Sequence, residues 1–514
     1  MQDQTPRSQR ARSRAEPDSR GGVVAVLASA CFLLVACRAT GEERSPATTR
    51  ALPNVVVLYT DDQGYGDCSA LNPAAGFRTP HMDRLAREGA VFTDAHSAGS
   101  VCTPSRYALL TGRYAWRTRR GGGVLGADAD CLIEDGRTTL ASLLREAGYA
   151  TALFGKWHLG LQIPGTKGER DWSLPVTDGP LQKGFDRFYG IPASMNFGVL
   201  TWFDQDRAIE PASLWTRKKF PAAEITTPPL DYAMRPPYDA EPEGPKDVEV
   251  APGFRDEDAL RIMTEHAVAF IEEQGGRPFF LTLAFTSPHL PHCTAPEFRG
   301  TSGMGNYGDF LVETDHRVGQ VLAALDAAGL AEDTLVVLTS DNGPENNYHD
   351  WSRIYGHASN GGFRGGKRDV YEGGHRVPFL LRWPARVPAG RVVDEPVGQV
   401  DLLATVAELV GADVPDGHAE DGTSFLSLLD GSGDEGERAN RPPLIHHGRG
   451  RFAIRSGSWK LIFAKGEGRR TLGAPAELYD LDRDPAETVN RLDAEPALVR
   501  ALHEAARASV EQGG

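Results

Sequence analysis

An α/β fold, built on a large mixed, mostly parallel sheet flanked by helices, is the architecture this sequence predicts. Two patterns carry the prediction. From residue 54 onward, short apolar runs alternate with segments of helical periodicity, as expected where helices join the strands of one sheet. Four of those runs are followed at once by charged, amide or imidazole residues. That puts polar groups beyond the carboxyl ends of strands, where open α/β sheets bind ligands. Strand-like segments after residue 450 add a small antiparallel sheet as a carboxyl-terminal subdomain.

In chain order, residues 1–20 are polar and arginine-rich, and residues 21–36 are nearly all apolar, ending in Leu34-Val35-Ala36-Cys37. A basic flank, a short apolar run and small residues describe an export signal over 1–36. The run is short for a bilayer-spanning helix. Its ending resembles a bacterial lipobox, which makes Cys37 the expected lipidated first residue of a mature periplasmic or cell-surface chain. That lipid is then the only expected membrane contact; an ordinary cleaved signal and an uncleaved anchor are the alternatives. Residues 37–52 read as a tether, 53–430 as the main domain and 431–514 as the subdomain, parted by a polar connector from Asp430. A formal net charge of −15 disfavours nucleic acid as a partner, since phosphate contacts need a basic face. Any anion must be gripped locally. Of six cysteines, Cys31 and Cys37 fall in the leader and Cys102 in a motif taken up below. Cys68, Cys131 and Cys293 remain; they imply no disulfide framework, though one pair could form in an oxidising compartment.

The four strand readings matter most. Asn54–Thr60 leads into Asp61-Asp62, and Thr151–Phe154 into Gly155-Lys156-Trp157-His158. Phe279–Phe285 leads into a proline-stiffened run holding His289 and His292, and Thr334–Thr339 into Ser340-Asp341-Asn342. Asp61, Asp62, Asp341 and Asn342 form an all-oxygen set suited to a hard cation, Ca²⁺ or Mg²⁺. Adjacent carboxylates repel unless a cation offsets them. Singly, each is explained by a cap or turn; paired at two strand ends they favour the metal. Lys156 and His158, two apart, point the same way in extended chain. Lys367 closes a glycine-rich stretch from Asn360, but P-loop spacing is absent, so nucleotide binding is disfavoured. Asp171 to Phe254, rich in Pro, reads as a long loop above the sheet edge. Its Trp172, Trp202 and Trp215 are packing anchors or, less favoured, sugar-stacking faces. Helical spacing marks 256–274, 308–328, 401–410 and 496–512.

The stretch Val101–Arg113 organises the rest. Pro104 suits a first helical position and Gly112 a stop, so Cys102 sits at the mouth of a short helix. Converging N–H groups and the helix dipole there predict an available thiol of lowered pKa and a resting place for an anion. Cys102-Thr-Pro-Ser-Arg106, followed by Leu110-Thr-Gly-Arg113, resembles the signature of the type I sulfatases. Lys156-Trp-His158, His289, Asp341-Asn342 and Arg364-Gly-Gly-Lys367 resemble the arylsulfatase A group in order and context, as does Phe188–Ser194. Met195-Asn196 stands where a more polar pair is expected, and Glu477–Glu487 resembles the carboxyl-terminal subdomain of sulfatases.

The resemblance spans about Asn54 to Asn490 and implies the alkaline-phosphatase-like sulfatase fold. It further implies that a formylglycine-generating enzyme oxidises Cys102, whose aldehyde hydrate is the nucleophile. Residue 102 joins Asp61, Asp62, Asp341 and Asn342 around the cation, calcium on the family's pattern. Arg106, Lys156 and Lys367 then stabilise charge, His289 with Lys367 protonates the leaving alcohol, and His158 takes the second hydroxyl's proton. Ser194 and His292 fall on the substrate side. The implied substrate is a sulfated small molecule or glycan. A phosphate or phosphonate ester hydrolase on the same scaffold, and a non-catalytic surface lipoprotein, are the competing readings.

Overall fold

The computed structural model describes residues 52–216, 238–242, 244–245, 247–345, 354–433, 441–468 and 470–512. The expected signal, Cys37, the tether and most of the connector after Asp430 lie outside them. Ten strands form the main sheet: β1 (Asn54–Asp61), β2 (Ala90–Phe92), β3 (Ala150–Lys156), β4 (Arg187–Ile191), β5 (Phe203–Asp204), β6 (Arg207–Ala208), β7 (Phe279–Pro288), β8 (Thr334–Ser340), β9 (Phe379–Arg382) and β10 (Arg391–Val393). Their order is β6-β5-β4-β3-β7-β1-β8-β9-β2-β10. The central run β4-β3-β7-β1-β8 is parallel throughout, and antiparallel pairs appear only toward the two edges.

Every residue of β1, β3, β7 and β8 is buried. Strands covered on both faces read as continuous apolar runs, which is why these four were legible. Alternate side chains face opposite layers. Val55 and Val57 join the core under α2 (Cys102–Thr111), α3 (Leu140–Glu146) and α6 (Leu402–Val410). Val56 and Leu58 join the core under α4 (Ala259–Glu273) and α5 (Gly305–Ala327). The first helix, α1 (Pro80–Glu88), packs beside α5.

A second, four-stranded antiparallel sheet follows: β11 (Leu444–Gly448), β12 (Arg451–Ser456), β13 (Trp459–Phe463) and β14 (Pro475–Asp480). The closing helix α7 (Pro496–Arg507) covers its apolar face through Leu502 and Ala506. Both sheets belong to one compact unit from Leu52 onward. Buried ions fasten them together. Lys460 of β13, fully buried, lies 2.9 Å from both Glu372 and Glu487. Arg455 of β12 meets Asp94 at 2.7 Å, and Asp94 accepts from His96 at 2.7 Å.

Two expectations are corrected. The segment from Asp171 to Phe254 is not a plain loop. It supplies β4, β5 and β6 of the main sheet, and its residues 199–200, 214–216 and 248–250 form a three-stranded sheet of their own. Strands this short, one holding a glycine, lack the apolar run by which the central four announce themselves. The second correction is β11, whose Pro-Pro-Leu-Ile-His-His context hides a strand. The described cysteines Cys68, Cys102, Cys131 and Cys293 are all buried. Trp202, stacked on Tyr189 at 5.3 Å, is a packing anchor.

Burial opposes the charge on Asp94, but Arg376, His96 and Arg455 outweigh it and hold the carboxyl well below its usual range. A carboxyl depressed in the folded state contributes stability above the unfolded pKa, and that contribution drains away as pH falls. The Asp94→Asn variant should therefore lose about 3–5 kcal/mol at pH 7, because it strands buried cations. Its stability should also fall less steeply than the parent's below about pH 4. Chemical denaturation across pH 3–7 reads both.

Candidate active site

The parallel run delivers its cargo to one edge. Asp61 ends β1 and Asp62 follows it; Lys156 ends β3, with His158 two residues on; His289 follows β7; Asp341 and Asn342 follow β8. Every one of these side chains is buried. Cys102 opens α2 and lies among them, its Sγ and one carboxylate oxygen each of Asp61 and Asp341 all within 4.8 Å of one another. Oxygens of Asp61 and Asp62 and a nitrogen of His289 form a second group at the same separation. The residues expected to meet do meet.

The local backbone explains the aim of each. Asp62 (φ 67°) and His158 (φ 57°) both adopt the left-handed region, uncommon for non-glycine residues though Asp and His enter it more readily than most. The turn after β1 is locked by the Asp62 N–H, which donates to Asp341 Oδ1 at 3.1 Å, and the Gln63 N–H, which donates to Ser340 Oγ at 2.9 Å. Thr103 Oγ1 donates to the His158 carbonyl at 3.0 Å and so ties the first turn of α2 to the loop after β3. Gly112, at φ 63°, ends α2 as expected. Pro104 is third in the helix rather than first, still within the turn whose N–H groups lack helical partners.

Charge is balanced locally. Lys156 Nζ donates to Asp61 Oδ2 at 2.6 Å, and Lys367 Nζ to both oxygens of Asp62 at 2.6 and 2.7 Å. Arg106 reaches Asp341 Oδ2 through Nε at 2.9 Å and through Nη2 at 2.8 Å. Its Nη1 donates to the Lys156 carbonyl at 3.0 Å. Burial, with Asp341 and Asp62 beside it, drives the Asp61 carboxyl up to about 8 despite Lys156. Burial raises Asp62 too, yet Lys367 and His289 more than offset it and hold that carboxyl down.

The donor set fits a hard cation. Asp61 Oδ1 and Asn342 Oδ1 are buried oxygens with no hydrogen-bond partner, and Asn342 Nδ2 is turned the other way, onto Asp62 Oδ1 at 2.7 Å. Unsatisfied buried oxygens cost roughly 1–3 kcal/mol each. A divalent ion coordinated by both would remove that cost and the carboxylate crowding together.

The two histidines are prepared differently. His158 Nε2 lies 3.1 Å from the Leu125 carbonyl, which makes it the protonated nitrogen, and leaves Nδ1 bare, buried and unpartnered. Burial and the nearby Lys156 push it well below the ordinary imidazole value. It is a base. His289 Nδ1 donates to the Leu290 carbonyl at 2.6 Å, and Nε2 stands 3.8 Å from Asp62 Oδ2. Burial and Lys367 lower it as well, so a bound anion is what would restore its proton.

One expectation fails on energetics. Cys102 does occupy a helix mouth, but its thiol is raised, because complete burial outweighs Lys156 and Lys367. His292 is buried and pushed down to about 3, its ring against Tyr307 of α5 at 5.5 Å. Ser194 is buried with Oγ unpartnered in the turn after β4, whose Phe197 meets His158 edge-on at 5.1 Å. Sequence reasoning missed Tyr59 and Gln399. The Arg106 guanidinium lies over the Tyr59 ring at 5.0 Å, Tyr59 Oη donates to Gln399 Oε1 at 2.9 Å, and Gln399 Nε2 donates to the Ser340 carbonyl at 2.6 Å. Nothing near Gln399 in sequence signals that role.

Three carboxylates, three cations and two imidazoles around one buried helix-mouth residue define a hydrolase for esters of tetrahedral oxyanions. The comparisons make the class specific. The Sulfatase family model matches residues 53–412, and one described as N-sulphoglucosamine sulphohydrolase, C-terminal, matches 362–509. The chain is 33% identical to an N-acetylgalactosamine-6-O-sulfatase of Bacteroides thetaiotaomicron over 88% of its own length and 92% of the relative's. It is 34% identical to human arylsulfatase A, covering 88% and 86%. A solved Bacteroides thetaiotaomicron structure, described in connection with the metabolism of multiple glycosaminoglycans, superposes with TM-score 0.75 at 31% identity, over 88% of this chain and 98% of that one. A phosphonate monoester hydrolase of Agrobacterium radiobacter, 20% identical with TM-score 0.57, shares the fold. The chain belongs to the sulfatase family and is a sulfuric ester hydrolase.

Removing Arg106 tests the balance. Arg106→Met should cost about 3–5 kcal/mol by leaving Asp341 uncompensated. Arg106→Lys should keep the fold yet lose about 10²–10³ in kcat on 4-nitrophenyl sulfate. Parent-like kcat in Arg106→Lys would contradict the assignment.

Proposed function

We propose that this sulfatase works through a formylglycine hydrate at position 102 and a divalent cation, on sulfated carbohydrates met outside the cytoplasm. The observation that carries the reading is the convergence of Cys102, Asp61 and Asp341 within 4.8 Å, beside two buried oxygens that lack partners. Asp61, Asp62, Asp341 and Asn342 would hold the cation, Ca²⁺ or Mg²⁺, which when bound supplies Lewis-acid polarisation.

The chain's own groups do the remaining work. Lys156 and Lys367, each within 2.7 Å of a carboxylate, are placed to stabilise charge on the non-bridging sulfate oxygens. One hydroxyl oxygen of the residue 102 hydrate would bond to sulfur as the S–O bond to the alcohol breaks, and His289, its basicity raised by the arriving anion, would give its proton to the departing alcohol oxygen. Nδ1 of His158 then takes the proton of the remaining hydroxyl on residue 102, the carbon–oxygen bond to sulfate breaks, and the aldehyde returns. A thiol has no second hydroxyl and cannot complete that release. A formylglycine-generating enzyme is therefore the required maturation partner.

Support for carbohydrate substrates comes from the relative named N-acetylgalactosamine-6-O-sulfatase and from the glycosaminoglycan context of the structural neighbour. The basic flank, apolar run and Leu34–Cys37 ending support export and lipid attachment at Cys37.

Mass spectrometry of active protein expressed with its maturation enzyme should show an aldehyde in the residue 102 peptide and acylation at Cys37. An unmodified thiol in active material would end the proposal. Ca²⁺ at a hundred times its Kd should stabilise the protein by about 2.7 kcal/mol, and Asp341→Asn should abolish that gain in thermal unfolding.

A further inference from the structure

Beside residue 102 lies a cavity of about 610 Å³ that the chemistry above leaves unused. Ser100, Val101 and Pro104 form the wall nearest the nucleophile. The opposite wall comes from the second sheet: Arg449 and Gly450 join β11 to β12, and Lys465 follows β13. Arg120 and Arg368 complete the rim, against a single lining acid, Glu467. Four cations thus line one opening in a chain of formal net charge −15.

Their settings differ in a useful way. Glu345 binds Arg368, and Asp369 lies 3.1 Å from Arg449 Nε. Arg120 and Lys465 are exposed and have no ion-pair partner among the described residues. Arg120 also borders an adjoining cavity of about 560 Å³, along with Leu125, whose carbonyl holds His158. At the hairpin tip, Arg449 (φ 49°) and Gly450 (φ 77°) are both left-handed, a turn that ordinarily selects Asn-Gly or Asp-Gly. An arginine there gives up turn propensity and puts a cation at the cleft. A Cβ on Gly450 would stand 3.2 Å from Lys465 Cε, so the two cationic segments lie against each other.

We propose that this cleft binds a second anionic group of the substrate, a carboxylate or further sulfate on the sugar next to the one bearing the scissile ester. Arg449 and Lys465 set that preference. The inference rests on the sulfatase reading, and it deepens that reading from a sulfated carbohydrate to an acidic one. Guanidinium and ammonium groups bind such oxyanions through charge-assisted hydrogen bonds, strongest where the cleft wall excludes water.

Calorimetry on the full chain carrying Cys102→Ala reads binding without turnover. The probes are a uronyl-galactosamine 6-sulfate disaccharide, its uronate methyl ester, and that ester with a second sulfate. Either doubly charged probe should bind about tenfold more tightly than the ester, and the two arms distinguish carboxylate from sulfate. Raised salt should shrink the gap. Arg449→Gly, which suits the turn, and Lys465→Ala should each reduce the ratio several-fold, and together bring it near one. Equal affinities in the Cys102→Ala protein, or an unchanged ratio in the double variant, would overturn the inference. Turnover of 4-nitrophenyl sulfate by the matured protein checks the hydrolase separately: its absence with the binding preference intact would remove the catalytic reading and leave the acidic subsite standing.

Discussion

Burying three carboxylates at one end of a sheet is expensive, and the rest of the site is arranged around meeting that cost. Asp61, Asp62 and Asp341 are each essentially inaccessible to water, and each has its own cation: Lys156, Lys367 and Arg106. Ion pairs in such surroundings contribute little net stability, because desolvation consumes the attraction, but losing one member is severely destabilising. The arrangement therefore yields precision more than strength. Each carboxylate is held by its own cation while two oxygens stay uncommitted.

The same device recurs between the sheets. Lys460 between Glu372 and Glu487, and Arg455 on Asp94, are buried pairs that require the second sheet in one register against the first. Register matters here because β11 and β12 carry the hairpin that forms one wall of the cleft beside residue 102. The polar seam and the catalytic edge are thus two parts of one positional problem, solved by charges that have nowhere else to go.

Much of this was legible in the residues alone. Strands buried on both faces must be continuously apolar, so β1, β3, β7 and β8 stood out, and the groups after them marked the edge at which ligands bind. What the sequence hid has physical reasons. The acidity of Cys102 depends on burial, which competes with the helix dipole and is invisible locally. Strands β4 to β6 are too short to show a period. Gln399 reaches Tyr59 across 340 positions of chain, a contact created only by packing.

Asp62 and His158 stand in backbone conformations that side chains resist, one immediately after β1 and the other two residues after β3. Each costs on the order of 1–3 kcal/mol, a debt the surrounding contacts must hold in place. Heat that loosens those contacts lets both turns relax first, since relaxation there is downhill. Catalytic competence should then vanish several degrees before the sheet melts, so that warming inactivates a molecule whose architecture is still whole.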